Sequence, residues 1–145
     1  MIVLLDSTPL GLLSSPNNQP KVVACANWLS KLELQHEIII PEIIDYEVRR
    51  ELLRLSRIKS LRRLDRLQYK LKFLPLTSAA MLKAAELWAT ARKSGYPTAD
   101  DQALDIDVIL AAQALTLDST EVVVATSNVG HLSKYVNAAE WSEIG

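Results

Sequence analysis

Short, unbroken apolar runs alternate along the chain with longer amphipathic segments, and no other feature restricts the fold as much. Residues 2–5, 38–40 and 122–125 are apolar at every position. A strand of this kind is buried on both faces, as in a parallel sheet that helices cover on both sides. The length of 145 residues is enough for about one domain. We therefore predict one α/β domain over residues 1–145, with a mainly parallel central sheet flanked by helices.

The remaining pattern supplies the individual elements. Strands are predicted over residues 2–5, 36–40, 72–76 and 121–126, and the terminal segment around Trp141 is predicted to add an edge strand. Helices are predicted over residues 22–32, 41–71 and 78–95 and from Asp107 onward, with residues 96–105 as an acidic connection. The second of these helices starts at Pro41, a position that suits proline, and its later turns are basic but keep an apolar stripe.

Four oxygen-bearing side chains lie where predicted strands end, or on helices that run beside those ends. They are Asp6, Glu47, Asp107 and Asn128. In an open α/β sheet the carboxyl ends of the strands open on one crevice, so we expect these side chains to converge there. Carboxylates brought together repel one another, and a fold that gathers them usually has a cation to hold.

Each of the four also has a purely structural interpretation. Asp6 suits the N-cap of the helix after the first strand, and Asp107 suits the N-cap of the apolar helix that follows it. Glu47 is consistent with one exposed acid on a charged helix, and Asn128 with a turn residue. Taken singly, these roles explain each residue better, so the functional interpretation rests on the four together.

Composition excludes several classes of site. The chain has four glycines and no Gly-rich phosphate-binding motif. Cys25 is the only cysteine, which excludes an internal disulfide and a multi-cysteine metal site, and with two histidines a histidine-rich zinc site is not expected. The N-terminal residues lack the features of a signal peptide, and no apolar run has membrane-spanning length. We therefore expect a soluble, cytoplasmic protein without a membrane partner.

The net charge of −1 conceals a strong asymmetry. Residues 49–72 carry ten Lys or Arg against two acids, whereas the rest of the chain is acidic. A basic segment beside an acidic pocket is typical of a surface that meets a polyanion. A solvated helical face, or a contact surface for an acidic protein partner, explains the same pattern.

Four short motifs follow one another along the chain. They are Leu4-Leu5-Asp6-Ser7, the segment 40–48 with Pro41 and Glu47, Asp107-Val108-Ile109-Leu110-Ala111-Ala112, and Thr126-Ser127-Asn128-Val129-Gly130-His131-Leu132. In this order, and over essentially the full length, they resemble the PIN domain. Within that superfamily they are most similar to the small toxin ribonucleases of VapBC-type toxin–antitoxin pairs. Asn128 departs from the pattern, because many members have Asp there.

The resemblance implies a function, a site and partners. It implies an endoribonuclease that depends on Mg²⁺ or Mn²⁺, with Asp6, Glu47 and Asp107 holding the metal and Asn128 completing the catalytic set. It also implies RNA as the substrate, an antitoxin protein as a partner, a homodimer, and a sheet with the first strand at its centre. The candidates for RNA or antitoxin contact are in the basic segment and comprise Arg49, Arg62 and Arg63.

Further acids lie near the motifs. Asp101 and Asp105 are secondary candidates for metal contact, and together with Asp100 they are equally explained by a solvated loop or by helix caps. Asp105 precedes Asp107 by two residues, so on a helix the two side chains would face different ways.

Three other polar residues near the motifs have expected roles outside the metal site. Asp45 lies off the helical face of Glu47, and we expect it to be exposed. Glu51 either points near the pocket or pairs with a nearby base such as Arg54. His131 is expected to be a packed or surface histidine and not a ligand.

Two other functions compete with the nuclease. A catalytically weak or inactive PIN-like module that binds RNA or serves as a scaffold is compatible with Asn128 and with the near-neutral net charge. A phospho-acceptor receiver domain has the same fold class, but it needs an acidic pair after the first strand and an Asp after the third. Here the first strand ends in Asp6 alone, and Thr77-Ser78 follow the third strand.

Overall fold

Among the described residues, five strands form one sheet in which every neighbouring pair is parallel. The computed structural model describes residues 1–95 and 101–145. The strands are β1 (Ile2–Leu5), β2 (Glu37–Pro41), β3 (Lys72–Leu74), β4 (Val122–Thr126) and β5 (Ala138–Glu140). Their order is β3-β2-β1-β4-β5, so the first strand lies at the centre and the terminal segment does add an edge strand. The predicted α/β class is confirmed.

The register of the central strands brings their carboxyl ends to the same edge of the sheet. Val3 on β1 pairs with Ile38 on β2 and with Val123 on β4, and all three are buried. Each apolar side chain of this size contributes about 1.5–3 kcal/mol when it is fully buried. At the end of β1 the backbone N–H of Asp6 donates to the carbonyl oxygen of Ala125 at 3.0 Å. The residue that follows β1 therefore lies beside the last residues of β4.

The helices of the described chain flank this sheet. They are α1 (Ser7–Ser14), α2 (Pro20–Leu32), α3 (Glu42–Arg54), α4 (Ile58–Lys70), α5 (Ser78–Lys93), α6 (Asp101–Leu115) and α7 (Val129–Leu132). The main core lies between the sheet and the helices that pack on it, and its largest enclosed side chains include Leu10, Ile44, Leu64 and Leu110. Nowhere in the described chain is a helix long and apolar enough to cross a membrane.

The prediction of one continuous helix from Pro41 to Leu71 was wrong, because the chain turns between α3 and α4. Ser56 adopts a left-handed conformation, with φ of 55°. The N–H of Ser56 donates to the carbonyl of Leu53, and that of Arg57 donates to the carbonyl of Leu52. This pair of bonds is the Schellman termination, which usually has glycine where Ser56 lies. The basic segment thus comprises the end of α3, the turn that follows it, the whole of α4 and the start of β3 at Lys72.

The prediction that Asp107 begins a helix was also wrong. Helix α6 starts at Asp101, so Asp107 lies in its interior, and residues 101–105 of the predicted connection are helical. The physical reason is apolar spacing, because Leu104, Val108 and Ala112 follow one another at four-residue steps. They form a second buried cluster with alanines of α5. Burial of Leu104 therefore draws the acidic stretch into the helix.

Candidate active site

Asp6 is the most firmly positioned acid of the site. It is 8% exposed and follows β1, where its Oδ1 accepts a hydrogen bond from the N–H of Ser7 at 2.7 Å and caps α1. Its Oδ2 accepts a hydrogen bond from the hydroxyl of Thr126, the last residue of β4, at 2.6 Å. Burial raises the pKa of Asp6, and the two hydrogen bonds oppose that rise. The cap predicted as a structural alternative is present, and it fixes the orientation of this carboxyl group.

Glu47 reaches the same place from α3, which packs against α1. Burial is the largest cause that raises the pKa of Glu47, and the negative charge of Asp6 raises it further. The Ser7 hydroxyl donates to the Glu47 carboxylate, and the positive charge of Arg50 also favours its ionised form. Ser7 thus connects two acids, since its N–H bonds to Asp6 and its hydroxyl to Glu47.

Asp107 completes the group from the middle of α6. Its side chain is 19% exposed. Burial, followed by the negative charges of Asp6 and Glu47, raises the pKa of Asp107 to about 6. The charges of these acids affect one another's pKa, and in a partly buried setting such an effect requires a short separation. Three separate elements therefore bring their carboxylates into one acidic cluster. We call Asp6, Glu47 and Asp107 the carboxylate cluster.

The carboxylate cluster has the donor chemistry of a hard divalent cation but not a closed cage. Among the side chains that the structure describes, no three of His, Cys, Asp or Glu are arranged closely enough to enclose a metal ion. Mg²⁺ commonly keeps several waters and binds through only one or two carboxylates, so it does not need such a cage. Three oxygen donors that repel one another, two of them held through Ser7, fit an ion bound partly through water.

Asn128 is placed differently from the three acids. Its side chain is exposed and makes no capping hydrogen bond at the start of α7. Its backbone N–H donates to the Thr126 hydroxyl oxygen at 2.8 Å, and that hydroxyl in turn donates to Asp6. The link between Asn128 and the carboxylate cluster therefore runs through the backbone and Thr126.

His131 is a neighbour of the site that the sequence interpretation set aside. Its Nδ1 lies 3.9 Å from Oδ2 of Asp107. The only signal in the sequence was its place three residues after Asn128, on the short helix that follows β4. The contact between His131 and Asp107 exists because α6 runs past the start of α7, and the sequence does not reveal that packing.

Within the part of the chain that the structure describes, no contact joins the secondary candidates for metal binding to the carboxylate cluster. Asp105 is exposed on α6, two residues from Asp107 and on a different face. Asp100 and the side chain of Asp101 lie outside the described residues. Glu51 pairs with Arg54, one of the two alternatives predicted for it.

The expectation that Asp45 is exposed was wrong. Asp45 is 6% exposed, and its two carboxylate oxygens accept hydrogen bonds from Nε and a terminal nitrogen of Arg49, at 2.9 and 3.2 Å. Gln68 on α4 donates to the same carboxylate at 2.7 Å, and Arg49 also pairs with Asp65 at 2.8 Å. These bonds compensate the burial of the charge and tie α4 to α3. Arg49 is therefore engaged within the molecule.

The other two basic candidates lie on α4. Arg62 is exposed, and Arg63 is partly buried. Nε of Arg63 has no hydrogen-bond partner among the described residues. Arg63 lines a cavity of about 220 Å³ together with Leu13, Arg66, Leu67 and Lys70.

Comparison with known proteins agrees with this geometry. The PIN domain family matches residues 3–134. The fold is similar to VapBC2 from Rickettsia felis, solved bound to a DNA fragment from their promoter, with a TM-score of 0.72 and 15% identity over 96% of this chain and 98% of that chain. It is similar to VapBC-1 from nontypeable Haemophilus influenzae, with a TM-score of 0.69 and 22% identity over 99% of this chain and 100% of that one.

A third solved structure has a similar fold. FitAcB from Neisseria gonorrhoeae has a TM-score of 0.69 and 22% identity, over 98% of this chain and 99% of that chain. A search of curated proteins found no significant match. The family match covers most of the chain, and the all-parallel sheet with a central first strand agrees with the predicted resemblance. The chain belongs to the PIN domain family.

Proposed function

We propose that this protein is a metal-dependent endoribonuclease, and that it acts as the toxin of a toxin–antitoxin pair. The observation that carries the proposal is the convergence of Asp6, Glu47 and Asp107. The charges of the first two contribute to raising the pKa of Asp107 to about 6. A fold gains nothing in stability from such a cluster, since the charges oppose one another. Perturbed acids gathered at the carboxyl edge of a parallel sheet are typical of a functional site.

The carboxylate cluster would hold Mg²⁺ or Mn²⁺, directly or through water. When bound, the ion would neutralise phosphate charge and lower the pKa of an attacking water. Asp6 is pre-oriented for this role by the donors of Ser7 and Thr126, which also favour its ionised form. Asn128 holds the Thr126 hydroxyl through its N–H, and its exposed amide is available to a substrate or a water.

The substrate and partners follow from the charge distribution and from the similar structures. A phosphodiester chain is attracted to positive charge, and the basic residues at the end of α3 and on α4 are the proposed source of that attraction. Arg62 and Arg63 remain candidates for contact with RNA or with an antitoxin, whereas Arg49 would first have to leave Asp45 and Asp65. The VapBC structures support an antitoxin partner, and we add a homodimer to the proposal because the resemblance to the family implies one. A toxin that cleaves cellular RNA would act in the cytoplasm, so the proposal includes that location.

One observation favours a second candidate function, a PIN-like module that binds RNA without cleaving it. The side chain of Asn128 is neutral and exposed, and no described contact joins it to the carboxylate cluster. If a fourth acid is needed for hydrolysis, this protein lacks it at that position.

Cleavage of a mixed RNA pool tests the proposal. The purified protein is incubated with the pool in Mn²⁺, in Mg²⁺ and in EDTA. We expect fragments only with the metals, and none from Asp6→Asn or Asp107→Asn. Asp105→Asn is the matched control, because Asp105 lies on the same helix as Asp107 but is exposed on another face. RNA that is bound but uncleaved in both metals would favour the second candidate.

A further inference from the structure

Helix α3 carries three arginines, and they differ in what they are free to contact. Arg49 is held by Asp45 and Asp65. Arg54 is held by Glu51. In the described part of the chain, Arg50 has no carboxylate within ion-pair distance. Of the three, Arg50 is therefore the one whose guanidinium is available to an anion from outside.

Arg50 is also the basic group that acts on the carboxylate cluster. Its positive charge favours the ionised form of Glu47, which lies three residues before it on α3. Positions three apart share a helix face, so the guanidinium lies at the edge of the cluster. A phosphate that approaches the cluster meets repulsion from three carboxylates and attraction from this group.

Tyr46 holds the guanidinium of Arg50 in place. The guanidinium carbon lies 5.0 Å from the centre of the Tyr46 ring, and a terminal nitrogen lies 3.5 Å from the Tyr46 hydroxyl. Tyr46 as a residue is 53% exposed. An arginine stacked on an exposed tyrosine keeps its donors outward and leaves one side of the aromatic ring to a further flat group.

We propose that Tyr46 and Arg50 form a nucleotide-binding pair, in which Arg50 contacts a phosphate of the RNA next to the cleaved bond and Tyr46 stacks on an adjacent base. The inference rests on the proposed nuclease function and deepens it. A base must leave its neighbours to stack on an aromatic side chain, which bases in single strands do and bases inside a duplex do not. The substrate at this position is therefore single-stranded RNA.

Binding of fluorescent RNA tests the pair. Affinity for a mixed-sequence single strand and for a duplex is measured by anisotropy over a range of salt concentrations. Ca²⁺ replaces Mg²⁺, and gels check that the RNA stays intact. For Arg50→Gln we expect the negative slope of log affinity against log salt concentration to become shallower by about 0.7, as for one lost phosphate contact on a single strand. For Tyr46→Leu we expect about tenfold weaker binding to the single strand with an unchanged slope, and no change for the duplex.

The chain contains a matched control. Arg92 lies over the ring of Trp88 at 5.3 Å, in the same type of stack. Arg92 is not among the charges that shift the pKa values of the carboxylate cluster. Arg92→Gln should therefore leave both the affinity and the salt slope unchanged. Tyr46, Arg50 and Arg92 are all exposed, so thermal denaturation should show that the three variants stay folded.

The outcomes separate this inference from the nuclease proposal. Cleavage by the wild-type protein, combined with unchanged RNA binding by Arg50→Gln and Tyr46→Leu, would overturn only the role of the pair. Equal losses in Arg92→Gln would also overturn it, because they would indicate a general charge effect. If Arg50→Gln and Tyr46→Leu bind a poly-glutamate peptide more weakly than the wild type but bind RNA equally well, the pair contacts an acidic protein and the RNA role is overturned. Absence of RNA binding and cleavage in the wild-type protein would refute both proposals.

Discussion

Replacing Asp107 by Asn should stabilise the metal-free protein, although it removes a residue of the proposed active site. The pKa of Asp107 is raised from 3.8 to about 6 by burial and by the charges of Asp6 and Glu47. An acid whose pKa is higher in the folded state than in the unfolded state opposes folding once it is ionised. Asn has a similar shape and no charge, so it removes this opposition.

The sign and size of the effect follow from the two pKa values. Well below pH 3.8 the carboxyl group is protonated in both the folded and the unfolded state, so the substitution changes little. The penalty grows between pH 4 and pH 6 and is complete above that range. Two pH units correspond to about 3 kcal/mol at 1.36 kcal/mol per unit. Solvent screening of this partly exposed group reduces the expected gain to about 1–2 kcal/mol at neutral pH.

Urea denaturation in EDTA measures this gain. The free energy of unfolding is determined for the wild type, Asp107→Asn and Asp105→Asn at pH 4 and pH 7.5. We expect Asp107→Asn to exceed the wild type by about 1–2 kcal/mol at pH 7.5 and by a few tenths at pH 4. Asp105→Asn should match the wild type at both pH values, because Asp105 is exposed. A lower stability for Asp107→Asn at pH 7.5, or a gain that is independent of pH, would refute the electrostatic reasoning.

Three further substitutions test other parts of the structure. Gln113→Leu should lower the free energy of unfolding by about 2–4 kcal/mol in urea denaturation, because its buried amide bonds to Ile43 on α3 and to Leu74 at the end of β3; no loss would mean that water replaces the amide. Ser56→Gly should raise stability by about 0.5–1 kcal/mol by the same method, because glycine accepts the positive φ without strain; a loss would contradict the left-handed turn. Thr126→Val should move the acidic limb of a pH–activity profile toward higher pH, because it removes a bond that lowers the pKa of Asp6; an unmoved limb would separate Asp6 ionisation from activity.

The central sheet could be predicted because its signal is local. The strands β1, β2 and β4 are apolar at nearly every position, and burial on both faces leaves them no other place in a domain of this size. The meeting of Asp6, Glu47 and Asp107 followed from the general rule that parallel strands end at one edge. Asp6 was considered as the N-cap of a helix after β1, but no range was predicted for α1 because Ser7-Thr8-Pro9 looks like a break. Pro9 falls in the first turn of α1, where it leaves no helical bond unmade.

The departures depend on contacts between residues far apart in the sequence. The turn after α3 has no Gly or Pro, and Ser56 takes the left-handed conformation because α4 packs back on α3. Burial of Asp45 depends on Gln68, twenty-three residues away on that same returning helix. A residue's own neighbours do not reveal such partners. The start of α6 was missed because three acids obscured the apolar positions that α5 covers.

Calorimetric titration with Mn²⁺ tests most directly whether Asp6, Glu47 and Asp107 form a cation site, since it needs no knowledge of the RNA. We expect saturable Mn²⁺ binding by the wild type and by Asp105→Asn, and a large loss of affinity in Asp6→Asn and Asp107→Asn. Binding should also raise the melting temperature of the wild type, because an ion that binds only the folded state stabilises it by about 2.7 kcal/mol at one hundred times its Kd. Absence of Mn²⁺ binding by the folded wild-type protein, or equal binding by all four proteins, would mean that these carboxylates do not form a cation site.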